Sequence, residues 1–351
     1  MRARPARPSE TAPIRLGFYG AGFVARMHGL ALASCGVEHA VTAVHDPDAE
    51  RAKAFAARYG AAVVGEEELL DHVDAVYVTT WTSEHPRLVE RAAARGKAVF
   101  CEKPLAVNAR LVERMVATVE KAGVTNQVGL VLRFLSPFRF VRHLLADPRA
   151  GRVLSAVFRD DQYIPIQGQY GSDWRKDPAR AGRGALLEHS IHDLDILHWL
   201  LGPVRSLSAV VREVHGLPRI DDVAVARLDF ESGAVASLTS VWHDVLERPS
   251  NRRVEIFCER LFVAIEGDLV GPVRWQLTGA AEQCLAGDPL RDALRARGDE
   301  VVNPATAFLA AVRDGRPAAP DFAAALPAHR LADAVYASAD AGGGPAGFPQ
   351  R

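Results

Sequence analysis

The sequence predicts an α/β protein of two parts: a doubly wound parallel sheet over residues 14–133, then an α+β domain with an open, mainly antiparallel sheet over 134–351. Three observations carry this reading. Short apolar runs alternate with amphipathic segments up to about residue 130; strands with every second residue apolar follow one another later in the chain. A length of 351 residues is also about two domains at roughly 150 residues each.

The first part reads strand by strand. Residues 14–19 are apolar and run into a glycine-rich turn, and 41–45 form a second strand. Residues 48–59 form a helix with Ala52, Phe55, Ala56 and Tyr59 on one face. Strands over 75–79, 98–101 and 125–130 alternate with helices over 86–94 and 109–122. Repeated βα units with short connections demand a parallel sheet covered on both faces, with right-handed crossovers.

The second part begins with a helix over 137–145, a long strand over 153–163 and a helix over 188–201 after a glycine-rich approach. Strands over 223–230, 234–243 and 253–258 follow. Ala224, Ala226, Leu228 and Phe230, then Ala236, Leu238 and Trp242, mark one packed side. Helices over 305–313 and 322–339 precede a Gly/Pro-rich tail. With helices on one side only, the open sheet face needs a partner, which predicts a homodimer or homotetramer.

Composition narrows the function. With 48% hydrophobic and 24% charged residues the chain is ordinary globular protein. The 42 basic and 43 acidic residues leave a net charge of −1, with no electrostatic footprint for nucleic acid and no polybasic membrane anchor. No apolar run approaches 18 residues. Residues 1–13 are Arg- and Pro-rich without an apolar core, a loose leader and not a signal peptide. Cys35, Cys101, Cys258 and Cys284 form no C-x-x-C pair and read as free thiols, which points to the cytoplasm and away from zinc or disulfides.

Gly20-Ala21-Gly22-Phe23-Val24-Ala25 fits G-x-G-x-x-[GA] between a strand and a helix. Gly20 permits the tight turn, Gly22 lets backbone approach a pyrophosphate, and Ala25 allows close helix–strand packing. The amides opening the helix, at Phe23 and Val24, then face the phosphates. Asp46, at the end of the second strand, is placed to accept the ribose hydroxyls. Its charge opposes a 2′-phosphate and Pro47 follows it, so the expected cofactor is NAD; Arg51 keeps NADP possible.

Cys101-Glu102-Lys103-Pro104-Leu105, in the fifth βα unit, and Gly184-Ala185-Leu186-Leu187-Glu188-His189-Ser190-Ile191-His192-Asp193-Leu194-Asp195 together resemble the two signatures of the Gfo/Idh/MocA oxidoreductase family. The resemblance spans nearly the whole chain. It implies NAD(P)-dependent oxidation of sugars, inositols or related polyols, with the open sheet forming dimer or tetramer contacts. Two positions depart from the pattern: Glu188 stands where the family usually has Asp, and Ser190 where it has Gly. In the turn Thr80-Trp81-Thr82-Ser83-Glu84-His85, Trp81 replaces the usual Pro; Thr80 and His85 are expected beside the cofactor.

Lys103, one of only five lysines, meets its loop at the carboxyl edge of the sheet, where α/β ligands bind, with Glu102 holding it or the cofactor ribose. Glu188, His192 and Asp195 are spaced i, i+4, i+7 on one helical stripe. Lys103 and His192 are therefore the expected catalytic pair; the preferred assignment has Lys103 polarising the hydroxyl and His192 accepting its proton, with the reverse left open. Glu188 and Asp195 are expected on substrate hydroxyls. Tyr163, Trp174 and Arg175 join them through the Trp-Arg pair that the resemblance implies, aromatic packing being the other reading. No metal is expected, since His189 and His192 lack a third ligand. Two other functions remain open: an NAD-dependent glycosidase using transient oxidation, and a non-catalytic dinucleotide or sugar sensor.

Overall fold

A computed structural model describes residues 12–347. The expected leader at 1–13 lies, except for its last two residues, outside them. The chain divides into two units, one of residues up to 130 with 302–326, the other of 131–301 with residues from 327 onward.

The first unit runs β1 (Ile14–Tyr19), α1 (Phe23–Leu32), β2 (His39–His45), α2 (Ala49–Tyr59), β3 (Ala62–Val63), β4 (Ala75–Val78), α3 (His85–Ala94), β5 (Ala98–Cys101), α4 (Ala109–Ala122) and β6 (Asn126–Val128). Its six strands are all parallel, in the order β3-β2-β1-β4-β5-β6. This is the doubly wound dinucleotide order, which reverses between β1 and β4. Every residue of β4 and β5 is buried, as a sheet covered on both faces requires. Helix starts follow local chemistry: the Asp48 side chain accepts from the amides of Glu50 and Arg51, and Asn108 accepts from that of Leu111.

One late helix, Pro304–Asp314, belongs to this unit and corrects the assignment of everything after 133 to the second domain. Its Phe308 meets Tyr77 and Phe100 edge-on, with ring centroids 5.6 and 5.8 Å apart. The helix's apolar side covers an aromatic row on β1, β4 and β5; its own periodicity says only that it needs a sheet, not which one.

The second unit contains α5 (Ser136–Leu145), β7 (Val153–Tyr163), α6 (Pro178–Ala181), α7 (Ile191–Leu201), β8 (Val204–Arg212), β9 (Val223–Phe230), β10 (Val235–His243), β11 (Asn251–Cys258), β12 (Leu261–Glu266), β13 (Val273–Leu277), β14 (Gln283–Leu285), α8 (Gly287–Arg295) and β15 (Ala346–Gly347). Its nine strands are ordered β14-β13-β12-β11-β7-β10-β9-β8-β15 and only β7–β10 pair parallel. One sheet face packs on α5, α7 and the residues after Pro327. The other presents Leu154, Val157, Val210, Val225, Val235 and Phe257, all exposed. Among the described residues no helix is long and apolar enough to cross a membrane.

Candidate active site

The predicted residues fall into two groups, one in each unit. In the first, β1 ends at Tyr19 and Gly20 takes φ +92°; a Cβ there would lie 2.7 Å from the carbonyl oxygen of Thr79. Only glycine allows this approach. Gly22 is the N-cap of α1 with no side-chain cap, and a Cβ on it would meet nothing within 4 Å. The first turn of α1, which includes Phe23 and Val24, thus begins at a glycine with clear space beside it, at a helix N-terminus. The Asp46 carboxylate accepts from the amide of Ala21 at 2.7 Å and from that of Asp48 at 2.8 Å, which ties it to the turn while leaving lone pairs for a ligand. These residues fit a dinucleotide: an uncapped helix start, a cleared glycine and an anchored carboxylate.

Thr79 hydrogen-bonds the carbonyl oxygens of Tyr19 and Gly20 at 3.0 and 2.9 Å and so brings the turn after β4 against the glycine turn. Thr80 follows it, partly exposed. His85 is different. It is buried, with Nδ1 3.0 Å from the carbonyl oxygen of Pro104 and Nε2 3.3 Å from that of Thr80. The ring links the turns after β4 and β5.

At the end of β5, Lys103 is half-buried and its amide donates to Glu102 at 3.0 Å. Burial pushes the Glu102 carboxyl up, but the hydrogen bond to His28 and the charges of His28 and Lys103 outweigh it and hold the carboxyl below its ordinary range.

In the second unit, the expected helix over 188–201 is in fact a π-helical turn, Ala185–His189, followed by α7 from Ile191. Asp221 is the cause. Its carboxylate accepts from the amides of Gly184 and Leu186 at 2.8 and 2.9 Å, its carbonyl accepts from that of Ala185 at 2.6 Å, and Tyr336 donates to it at 2.9 Å. A Cβ on Gly184 would sit 1.9 Å from the Asp221 carbonyl oxygen, so the turn lies flat against that residue. The regular i, i+4, i+7 stripe is therefore broken after Glu188. Wide turns of this kind are frequent at functional sites.

Three expected substrate contacts are turned inward. Arg133 holds both oxygens of Asp195, at 2.6 and 2.8 Å, and Asp195 is 2% exposed. Glu188, also 2% exposed, receives Nε of Arg175 at 3.2 Å. The Tyr163 hydroxyl accepts from the amide of Gln169 at 3.3 Å, and its ring lies against Gly168 and Tyr170. In each case desolvation of a polar group forces an internal partner. Arg175 retains an exposed edge, stacked 4.4 Å from the centroid of the Trp174 ring and bonded to the hydroxyl of Ser172 at 2.8 Å. His192 is 6% exposed on the first turn of α7.

Beneath this segment lies a charge network that sequence reasoning missed. Arg252 donates to Asp193 and Asp160, each at 3.0 Å, and to Asp268; His189 lies 2.8 Å from Asp160. Burial pushes the Asp193 carboxyl up to about 7, reinforced by the neighbouring Asp160 and opposed by Arg252. A signal existed: Asp160 and Arg252 stand at inward steps of strands whose other inward residues include Ala156, Phe158, Val254 and Ile256, and they are cross-strand partners.

Comparisons with known proteins agree with this architecture. Residues 14–130 match the family described as "Oxidoreductase family, NAD-binding Rossmann fold", and residues 138–262 match its "GFO/IDH/MocA C-terminal domain". The chain is 29% identical over 337 residues to inositol 2-dehydrogenase of Rhizobium meliloti, covering 93% of this chain and 96% of that one. It is 33% identical to trans-1,2-dihydrobenzene-1,2-diol dehydrogenase of Mus musculus over 64% of this chain and 68% of the relative. The aldose-aldose oxidoreductase of Caulobacter crescentus, solved with glycerol, superposes with a TM-score of 0.81 at 26% identity, covering 96% of this chain and all (100%) of that one. With both of the family's domains matched in order, the chain belongs to the Gfo/Idh/MocA family of oxidoreductases, with an NAD-binding Rossmann domain at its N-terminal end.

Proposed function

We propose that this protein is an NAD-dependent dehydrogenase that oxidises a secondary alcohol of a sugar, inositol or related polyol, acting as a homodimer or homotetramer in the cytoplasm. The observation that carries the reading is the place of Lys103, at the carboxyl end of β5, on the sheet edge that also bears the Gly20–Gly22 turn after β1. Ligands of open α/β sheets bind at that edge. The names of the relatives, which act on cyclic polyols and diols, support the substrate class.

NAD bound at the glycine turn supplies the hydride acceptor. The chain's own residues do the rest. Lys103 donates a hydrogen bond to the reacting hydroxyl oxygen and stabilises the charge that develops as the proton leaves. A ring nitrogen of His192 accepts that proton. The exposed edge of the Arg175 guanidinium, held over Trp174 and bonded to Glu188, binds neighbouring hydroxyls. The apolar open sheet face supports self-association, and the four free thiols support the reducing compartment.

The test is net NADH formation with a panel of inositols, hexoses and their deoxy analogues beside simple aliphatic alcohols. A site that hydrogen-bonds hydroxyls rejects analogues lacking them, because its polar groups are left unpaired. Aliphatic alcohols matching inositols and hexoses in kcat/KM, or glycoside turnover without NADH accumulating, would overturn the reading.

A further inference from the structure

Helix α1 carries a histidine on its packed side. His28 stands one turn after Ala25, and Ala25, His28, Gly29 and Leu32 are the buried residues of this helix. Its ring meets Phe100 edge-on at 4.7 Å and lies 5.4 Å from Tyr77. Apolar packing alone would suit a phenylalanine there. Instead, Nε2 lies 2.7 Å from Oε1 of Glu102, with the two side chains only 9% and 12% exposed. The other oxygen, Oε2, accepts from the Lys103 amide. Gly129 completes the cradle, since a Cβ there would lie 2.7 Å from Oε1 of Glu102. The carboxylate is thus held from the helix and from its own strand end, with Gly129 leaving room for it on the side of β6. A charged, poorly solvated acceptor held on both oxygens has one orientation, and the ammonium next to it responds to that orientation. Cys101, the other ionisable neighbour, is fully buried, and burial pushes its thiol well above the ordinary range, so it carries no competing charge.

We propose that His28 is a positioning residue: by donating Nε2–H to Glu102 it fixes the carboxylate that sets the place of Lys103. This rests on the reading of Lys103 as the group that polarises the hydroxyl.

Two substitutions separate the hydrogen bond from the packing. His28→Phe keeps ring contacts with Phe100 and Tyr77 and removes the donor; His28→Gln keeps an N–H and removes the ring. We expect His28→Phe to lose about 10- to 100-fold in kcat, the scale of a charge-assisted hydrogen bond, with the Kd for NAD unchanged. His28→Gln should keep most of kcat even though its Tm falls. The opposite ranking, or equal losses in both, would overturn the inference. A second arm covers a variant that does not fold: Glu102→Gln removes the charge but keeps the shape. Adding His28→Phe to Glu102→Gln should cost nothing further in kcat, whereas independent, multiplying losses would overturn the coupling. Near-wild-type turnover in Lys103→Met removes the underlying reading instead, so the two failures are distinguishable.

Discussion

Arg175 donates from Nε to Oε2 of Glu188 at 3.2 Å while its guanidinium carbon sits over the Trp174 ring, 4.4 Å from the centroid. Of these two residues, both expected on the substrate, the carboxylate is nearly fully buried and the arginine keeps the more exposed side chain. Arg175→Ala should raise KM for a polyol at least tenfold, lower kcat less, and leave the Kd for NAD unchanged. Arg175→Lys should not rescue it, because an ammonium cannot both stack and fork. An unchanged KM in Arg175→Ala would remove the arginine from the substrate site.

Lys103→Met and His192→Ala should each lose about 10²–10⁴ in kcat, the usual cost of a positioned acid/base group, while still binding NAD by titration. If the two act on one hydroxyl, the double variant should be little worse than the poorer single one. Losses that multiply would show that they act separately.

Asp46 is locked to the glycine turn through the Ala21 amide, so its charge cannot swing away from a 2′-phosphate. NAD should therefore bind more tightly than NADP, measured as Kd by calorimetry. Equal or tighter NADP binding would show that Arg51, exposed on α2, reaches back to the phosphate.

Asp193 gives a pH signature. Its folded-state pKa, about 7, lies above the unfolded value near 3.8, so the folded protein binds the extra proton between those limits. The associated stability is fully present below about pH 4 and is lost as pH rises through about 7, at up to about 1.4 kcal/mol per pH unit. Asp193→Asn mimics the protonated form: its amide oxygen still accepts from Arg252 and its N–H can face Asp160. The Tm of this variant relative to wild type should improve from pH 5 to pH 8. A relative Tm that stays flat over that range would mean that Asp193 is ionised in the folded protein throughout.

The open sheet face predicts self-association. Light scattering at micromolar concentration should give a dimer or tetramer, and Val157→Lys with Val225→Lys, both on that face, should shift it to monomer with the far-UV circular dichroism retained. A monomeric wild type would overturn this.

Most of the frame was legible because it is written in local chemistry. β1, β5, β7, β9 and α4 begin and end where alternation, glycine turns and caps place them, and the Gly20–Gly22 turn needs only its own backbone geometry and the strand before it. Short strands such as β3 and β14 were invisible: β3 has two residues and β14 three, too few for any period.

What the sequence by itself determined, then, is the βα alternation of the first unit, the dinucleotide turn and the residue types at the site, while β8, β12, β13 and α8 of the second unit went unread. Tertiary structure alone decided which way those side chains point. Asp221, distant in sequence, flattens residues 185–189 into a π turn; Arg133 and Arg175 capture Asp195 and Glu188; Phe308 crosses back to the first sheet; and His28 reaches Glu102 from another element. Each is a pairing of groups far apart in the chain, forced by the cost of burying a polar atom unpaired or leaving an apolar face uncovered. Local periodicity records that a residue will be buried, but its partner arrives only when the fold closes.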